Sequence, residues 1–145
     1  MPETYHVRVA ADPDDLKAYY AVRHEVFVVE QGVPADLEYD AHDADAVHVL
    51  ATGPDGALGA GRLLLGGDGT GILGRLAVTG AARGLGVGAA LVRAIEDEAR
   101  RNGLTAVELH AQTHALGFYE RLGYTSFGEE YEEAGIPHRS MRRAL

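Results

Sequence analysis

The sequence predicts a single α/β domain, of the α+β kind, in which helices flank a mixed and mostly antiparallel sheet of six to seven strands. Three observations support this fold class. The 145 residues suffice for one domain, 1–145, with a buried core. Apolar runs of strand length alternate with turn-forming residues through the first half of the chain. A long amphipathic helix then lies between two further apolar runs, the pattern of a strand-helix-strand crossover.

The first elements are a strand, a helix and an acidic segment. Residues 4–10 alternate in the pattern of a strand. Asp12 can cap a helix that has Pro13 in its first turn and apolar positions up to about Val29. From Glu30 to Ala46 the chain is irregular and rich in carboxylates. This segment predicts either a solvated loop or a carboxylate-lined entrance for an amine.

Three consecutive strands should follow the acidic segment. Residues 46–52 and 57–65 are apolar, and the turn Gly53-Pro54-Asp55-Gly56 between them predicts an antiparallel hairpin. A second Gly-rich turn, residues 66–69, leads into a third strand over residues 71–78.

The second half of the chain begins with a crossover. A helix from about Gly86 to Asn102 has its apolar residues on one stripe, and a strand follows over residues 106–111. The two strands that flank this helix are expected to be parallel and connected in the right-handed sense. Residues 115–122 predict a short helix, and strands are expected over residues 124–132 and 138–143, so the sheet should be mixed.

Composition excludes several classes of function. The chain has no cysteine, which rules out disulfides, thiolate metal sites and cysteine nucleophiles. A formal net charge of -9 argues against general nucleic-acid binding. The start of the sequence does not resemble a signal peptide, and no apolar run is long enough to cross a membrane, so a cytoplasmic protein without membrane contact is expected.

The most informative stretch is Arg83-Gly84-Leu85-Gly86-Val87-Gly88-Ala89. Glycines let the backbone approach an anion closely, and the helix that follows adds its positive end, so the stretch predicts a phosphate-binding turn. It also satisfies the dinucleotide pattern G-x-G-x-x-A, but five residues separate the preceding strand from Gly84, whereas that pattern follows its strand almost at once. A Walker phosphate loop is excluded because no Lys-Ser or Lys-Thr pair follows the glycines.

Two motifs resemble those of the GCN5-related N-acetyltransferase (GNAT) superfamily. Arg83-Gly84-Leu85-Gly86-Val87-Gly88 is similar to its pyrophosphate-binding pattern Gln/Arg-x-x-Gly-x-Gly/Ala. The segment from Ala115 to Tyr124, with Tyr119 and Gly123, looks like its Ala-x-x-x-Tyr-x-x-x-Gly-Phe/Tyr motif. Within the superfamily, residues 22–31, 109–112 and 135–138 resemble the ElaA/YjcF-like branch, which does not come with a securely known substrate.

The resemblance implies a function and a set of binding residues. The protein would be an acetyl-CoA-dependent N-acetyltransferase that transfers acetyl directly to a primary amine in a ternary complex. A splayed pair of parallel strands would hold the pantetheine through Leu76, Ala77 and Val78. The loop Arg83, Gly84, Leu85, Gly86, Val87, Gly88 and Ala89 would take the pyrophosphate. Gln112 stands where many relatives carry an Asn that binds the pantetheine arm, and a homodimer is possible.

Acetyl transfer needs a neutral amine and a proton for the leaving thiolate. By the resemblance, Tyr119 is the general acid. No carboxylate lies on the strand before the glycine loop, where some relatives carry their base, so His110 is the candidate general base. The alternatives are a water chain or one of the three residues Glu30, Glu38 and His48. Glu30, Glu38 and His48 are candidates for the acceptor site, which the acidic charge suggests is built for a small cationic amine. No metal site is expected, because the histidines lack a ligand motif.

Two other functions are compatible with the sequence. The chain could be a coenzyme A-binding sensor or interaction module without catalysis on the same fold. It could also be an oxidoreductase with a nucleotide cofactor, if the G-x-G-x-x-A interpretation of the loop were correct.

Overall fold

The computed structural model describes residues 5–145 and contains one seven-stranded mixed sheet. Its strand order is β1-β2-β3-β4-β5-β7-β6, so β7 lies between β5 and β6. All neighbouring strands are antiparallel except β4 and β5. The strands are β1 His6–Val9, β2 Val47–Gly53, β3 Gly56–Leu65, β4 Thr70–Val78, β5 Ala106–Gln112, β6 Thr125–Glu133 and β7 Ile136–Ala144. The mixed, mostly antiparallel sheet predicted from the sequence is confirmed.

Four α-helices and several short turns connect the strands. The helices are α1 Pro13–Arg23, α2 Ala35–Glu38, α3 Val87–Arg101 and α4 Leu116–Arg121. The carboxylate of Asp12 caps α1 by accepting a hydrogen bond from the Asp15 amide at 2.8 Å. The predicted start of the first strand at Thr4 lies outside the described residues. Every helix of residues 5–145 is too short or too polar to span a bilayer.

The helix that begins at Pro13 changes its winding before it ends. After α1 the chain continues as a π-helix over His24–Glu30, where the Gln31 amide donates to the Val26 carbonyl at 3.1 Å. The predicted end near Val29 is therefore close, but the last turns are π-helical rather than α-helical. This wider winding is common at functional sites, and here it leads directly into the large cavity described below.

The acidic segment is more ordered than the predicted irregular loop. It contains α2 and a 3-10 turn, Ala41–Asp45, which is capped by the carboxylate of Asp40. The Asp40 side chain accepts from the His42 amide at 3.0 Å, and the Asp43 carboxylate accepts from the Asp40 amide at 3.2 Å. These reciprocal bonds form a capping box, which is the local reason for the order.

The parallel pair is paired along only part of its length. The register of β4 with β5 runs from Thr70 opposite Ala106 to Leu73 opposite Leu109, and beyond Leu73 the two strands separate. On its other side, β4 bulges against β3, where the register shifts between Ala60 and Arg62. Arg75, at this bulge, has φ of +53°, a conformation unusual for a residue with a side chain. The predicted splayed pair is therefore present.

Helices cover the two faces of the sheet and create two buried clusters. Helix α3 packs Leu91, Val92 and Ile95 against one face, and all three side chains are fully buried. Helix α1 packs Tyr19 and Val22 against the other face. Because the splayed strands belong to this packed sheet, the gap between them has rigid walls.

Candidate active site

A cavity of about 1070 Å³ opens where β4 and β5 separate. Its walls come from the second half of β4, the end of β5, the π-helix, α2, the glycine loop, α4 and the β6–β7 turn. A gap between strands of this size can hold an extended ligand, and it brings together segments that lie far apart in the sequence.

The glycine loop has the backbone of an anion-binding turn. Gly84 and Gly86 have φ of +85° and +81°, values that strain a residue with a side chain. The first hydrogen bond within α3 is donated by Ala90 to the Gly86 carbonyl at 3.1 Å, so the amides of residues 87–89 precede the internal bonds of the helix. These amides, with the positive end of a 15-residue helix, suit a phosphate.

Gly88 lies in a tight contact between α3 and α4. A Cβ atom at this position would lie 3.2 Å from Cζ of Phe118 and 3.7 Å from Cγ2 of Val78. The glycine therefore lets α4 pack directly against the first turn of α3. Most of the predicted cofactor-binding residues line the cavity, namely Leu76, Val78, Arg83, Gly84, Gly86, Val87, Gly88, Ala89 and Gln112. Ala77 is buried in the cluster under α1, and Leu85 is 44% exposed.

The side chain of Arg83 is held by two contacts. Its Nε donates to the Val78 carbonyl at 3.1 Å, and its Nη2 donates to Glu30 at 2.8 Å. The arginine predicted to bind pyrophosphate thus pairs with a glutamate predicted to bind the acceptor. Both side chains are partly exposed, so solvent weakens the ion pair and the guanidinium is available to a stronger anionic partner.

Tyr119, the predicted general acid, lies on α4 and lines the cavity with only 8% of its surface exposed. Its ring meets Phe118 edge to face, with the centroids 4.9 Å apart. Burial raises the pKa of Tyr119, because the phenolate would be poorly solvated there. The phenol therefore keeps its proton at neutral pH, as a proton donor must.

The end of β5 presents two polar side chains that the sequence singled out. Gln112 donates from Nε2 to Oε1 of Gln31 at 3.1 Å, and His114 lies 2.6 Å from Oε1 of Gln112. His110 is exposed at the cavity wall and contacts the hydroxyl of Tyr131 through Nδ1. The structure thus brings His110, Gln112 and Tyr119 to one cavity.

Tyr131 and His138 were not predicted as site residues. The two rings stack with centroids 6.0 Å apart, and Nδ1 of His138 donates to the Ile136 carbonyl at 2.7 Å. His138, on β7, pairs with Gln112 of β5 on one side and with Tyr131 of β6 on the other. This strand pairing places these residues beside His110. Although residues 135–138 belong to a recognised motif, the contact depends on a strand order that local sequence does not contain.

A network of ion pairs borders the part of the cavity that α2, β3 and the middle of β4 line, here called the network end. Arg23 is fully buried and donates to Glu38 at 2.9 Å and to Asp43 at 2.7 Å. Arg62 donates to Asp40 at 2.8 Å and to Asp43 at 3.1 Å. Arg75 contacts Glu38 at 3.0 Å and Asp40 at 3.2 Å. Here this group of six residues is called the arginine–carboxylate network.

The charges of the network reinforce one another. Burial tends to raise the pKa of Asp43, but hydrogen bonds and the positive charge of Arg23 outweigh that effect and lower the pKa to about 2. Asp40 likewise has a lowered pKa, because its bonds to arginines outweigh its desolvation. These carboxylates are therefore ionised and paired at neutral pH.

The three predicted acceptor residues do not share one site. Glu38 lines the cavity but is 1% exposed and fully engaged by arginines, and Glu30 pairs with Arg83. His48 is absent from the cavity wall; its Nε2 lies 2.9 Å from the Asp43 carbonyl, and its ring packs on Tyr19. Burial lowers the pKa of His48. Among residues 5–145, no group of three or more His, Asp or Glu side chains is arranged to hold a metal ion.

Comparisons with known proteins agree with this architecture. Residues 9–145 match the family model described as an acetyltransferase (GNAT) domain. The chain is 38% identical to the uncharacterized N-acetyltransferase YjcF of Bacillus subtilis, over 93% of this chain and 96% of that one. A crystal structure of an acyl-CoA N-acyltransferase from Pseudomonas aeruginosa is 36% identical, with a TM-score of 0.85 over 98% of this chain and 99% of that one. Escherichia coli ElaA is 30% identical, with a TM-score of 0.83 over 97% and 99%.

Proposed function

Because the chain belongs to the GNAT acetyltransferase family and to its ElaA/YjcF-like branch, we propose that it is an acetyl-CoA-dependent N-acetyltransferase acting on a primary amine. We propose further that transfer is direct, within a ternary complex. The observation that carries the proposal is the buried phenol of Tyr119, which lines the same cavity as the glycine loop at the point where β4 and β5 separate.

The residues of the loop fit coenzyme A. The positive φ angles of Gly84 and Gly86 and the amides of residues 87–89 suit its pyrophosphate. The unpaired edge of β4 from Gly74 to Val78 offers backbone groups to an amide-rich pantetheine arm. When bound, acetyl-CoA supplies an activated acyl carbon and a thiolate leaving group.

Two side chains divide the proton chemistry. Tyr119 holds its proton at neutral pH and can donate it from Oη to the leaving sulfur. His110 can take a proton from the ammonium group of the acceptor, which frees the lone pair of the amine for attack on the acyl carbon. Its contact with Tyr131 fixes the orientation of its ring. The acid and the base then act from different walls of one cavity, since α4 carries Tyr119 and β5 carries His110.

Only part of the acidic charge still supports a cationic acceptor. Glu129, Glu130, Glu132 and Glu133 are exposed on β6, and Glu133 lines the cavity. In contrast, Glu38, Asp40 and Asp43 are neutralised by arginines. The proposal therefore requires only that the acceptor carry a primary amine.

Release of free thiol from acetyl-CoA across a panel of primary amines tests the proposal. We expect Tyr119→Phe to lower kcat by about 100-fold, typical of a lost general acid, with little change in KM for acetyl-CoA. Tyr39→Phe is the matched control, since Tyr39 does not line the cavity. An unchanged kcat would remove Tyr119 from the mechanism.

The same assay separates the alternatives. Coenzyme A binding without thiol release for any amine would favour a non-catalytic sensor on this fold. Tight binding of NADPH with no binding of coenzyme A would favour the oxidoreductase instead.

A further inference from the structure

Within residues 5–145, every carboxylate oxygen of the arginine–carboxylate network accepts a hydrogen bond, whereas some of its guanidinium N–H groups have no partner. Both oxygens of Glu38 accept from Arg23, and one of them also contacts Arg75. Both oxygens of Asp40 and of Asp43 accept hydrogen bonds as well. A ligand at this end therefore meets carboxylates that arginines already engage and guanidinium N–H groups without a partner, which favours a group that accepts hydrogen bonds.

Arg62 is one of the donors that remain open toward the cavity, and it is the more buried of the two arginines that line this end. Its side chain is 5% exposed and lines the wall, and its bonds to Asp40 and Asp43 both use Nη1. Its Nε is buried and has no hydrogen-bond partner among residues 5–145. A guanidinium with unused N–H groups in a buried position is costly unless a ligand engages it.

Gly74 gives access to this guanidinium. It pairs with Arg62 across β3 and β4, and a Cβ atom built on it would lie 3.9 Å from Nη2 of Arg62, in ordinary contact. The backbone of Gly74 does not have a positive φ, so its conformation does not require glycine. The missing side chain instead leaves room beside Nη2.

The charge balance does not favour a cation at this position, and the unpaired donors of Arg62 favour a group that accepts hydrogen bonds. The three arginines and three carboxylates of the network sum to zero, so no excess negative charge attracts an ammonium. A carboxylate, by contrast, can accept a charge-assisted hydrogen bond from Nη2 of Arg62, beside Gly74.

We propose that the acceptor amine also carries a carboxylate, which binds at Arg62 beside Gly74 while the amine extends toward His110 and Tyr119. This inference rests on the proposed acetyl transfer. It names a class of acceptor, an amino acid such as an ω-amino acid, that differs from the small cationic amine suggested by the acidic charge.

Three acceptors of matched length test the class: 4-aminobutanoate, n-butylamine and 1,4-diaminobutane. We expect kcat/KM to be at least tenfold higher for 4-aminobutanoate than for n-butylamine, with 1,4-diaminobutane the poorest. Equal values for the three, or a preference for the diamine, would overturn the proposal.

Binding without turnover separates this inference from the proposed function. We expect 4-acetamidobutanoate to bind the coenzyme A-saturated protein at least tenfold more tightly than N-butylacetamide, measured by calorimetry. That preference in a protein that acetylates no amine would refute the catalysis and keep the carboxylate site. Turnover without the preference would refute the carboxylate site alone.

Two variants locate the carboxylate. Gly74→Ala should weaken 4-acetamidobutanoate at least fivefold, because the methyl group occupies the space beside Nη2, whereas Gly67→Ala in the β3–β4 turn, where a Cβ meets nothing within 4 Å, is the control. Arg62→Lys keeps the charge but loses Nη2 and should remove the preference for the carboxylate. Unchanged affinity in Gly74→Ala would place the carboxylate elsewhere and overturn the assignment.

Discussion

The two ends of the cavity are built in different ways. The coenzyme end is made mostly of backbone from one stretch, residues 76–89, whose glycines and helix start occur in unbroken order. The network end is made of side chains from distant segments: Arg23 reaches Glu38 across 15 positions, and Arg75 reaches Asp40 across 35. A backbone site can be recognised in the sequence, whereas a side-chain network depends on the completed fold.

The two ends also differ in what a substitution should damage. At the coenzyme end, local shape determines binding, so a larger side chain should affect affinity more than folding. At the network end, buried charges depend on one another, and removing one partner leaves another without compensation. The predictions below test this difference.

The largest effect is expected for Gly88→Val. The added side chain would enter the contact with Phe118, where even a Cβ lies 3.2 Å from Cζ, and would displace the first turn of α3. We expect affinity for coenzyme A to fall by about 1000-fold, equivalent to about 4 kcal/mol, measured by calorimetry. Gly67→Val is the control for the substitution itself. Affinity retained within a few fold would refute the loop as the pyrophosphate site.

The same distinction explains which parts of the fold could be predicted from the sequence. The hairpin turn Gly53-Pro54-Asp55-Gly56, the cap at Asp12 and the amphipathic helix α3 depend on neighbours within a few positions, and all three were predicted. The parallel pair followed from the strand-helix-strand pattern, because a helical crossover lets the second strand run in the same direction as the first. The π-helix after Arg23 was missed, because its apolar residues fit an α-helical stripe equally well.

The candidate site divides in the same way. The glycine loop and Tyr119 were recognised as motifs, and the structure brings them to one cavity. The acidic segment suggested an amine entrance because its net charge does not show which carboxylates are paired with arginines. Arg62 and Arg75, which neutralise it, lie on β3 and β4, and only the strand pairing makes them neighbours. Long-range ion pairing has no local signature, so the neutralisation of the acidic charge at that end could not be predicted from the sequence.

An intermediate effect, on stability, is expected for Asp43→Asn. The folded-state pKa of Asp43 is about 2, below the roughly 3.9 of an unfolded Asp, so its ionisation stabilises the fold above about pH 4 and this contribution is lost as pH falls toward 2. We expect the substitution to lower the free energy of unfolding by about 2 kcal/mol at pH 7.

Urea denaturation at a series of pH values checks the prediction. The difference between the wild type and Asp43→Asn should shrink steadily between pH 4 and pH 2, since the wild-type carboxylate becomes protonated there. Asp55→Asn, in the exposed β2–β3 turn, should change stability little at any pH. A constant difference across the range would mean that the charge of Asp43 is not what stabilises the network.

The smallest effect is expected at the ion pair between Arg83 and Glu30, which crosses the coenzyme end. Glu30 holds Nη2 of Arg83 at 2.8 Å, so a phosphate must compete with this carboxylate for the guanidinium. Because both side chains are partly exposed, the competition is weak, of the order of 0.2–1 kcal/mol for such pairs. Glu30→Gln should therefore tighten coenzyme A binding by about threefold.

Glu25→Gln removes the same charge from an exposed position on the same π-helix and controls for the long-range field. A tightening equal in both variants would assign the effect to net charge, and weaker binding in Glu30→Gln alone would mean that Glu30 orients Arg83 for the phosphate. In that case the coenzyme end, like the network end, would depend on a side-chain contact between distant segments.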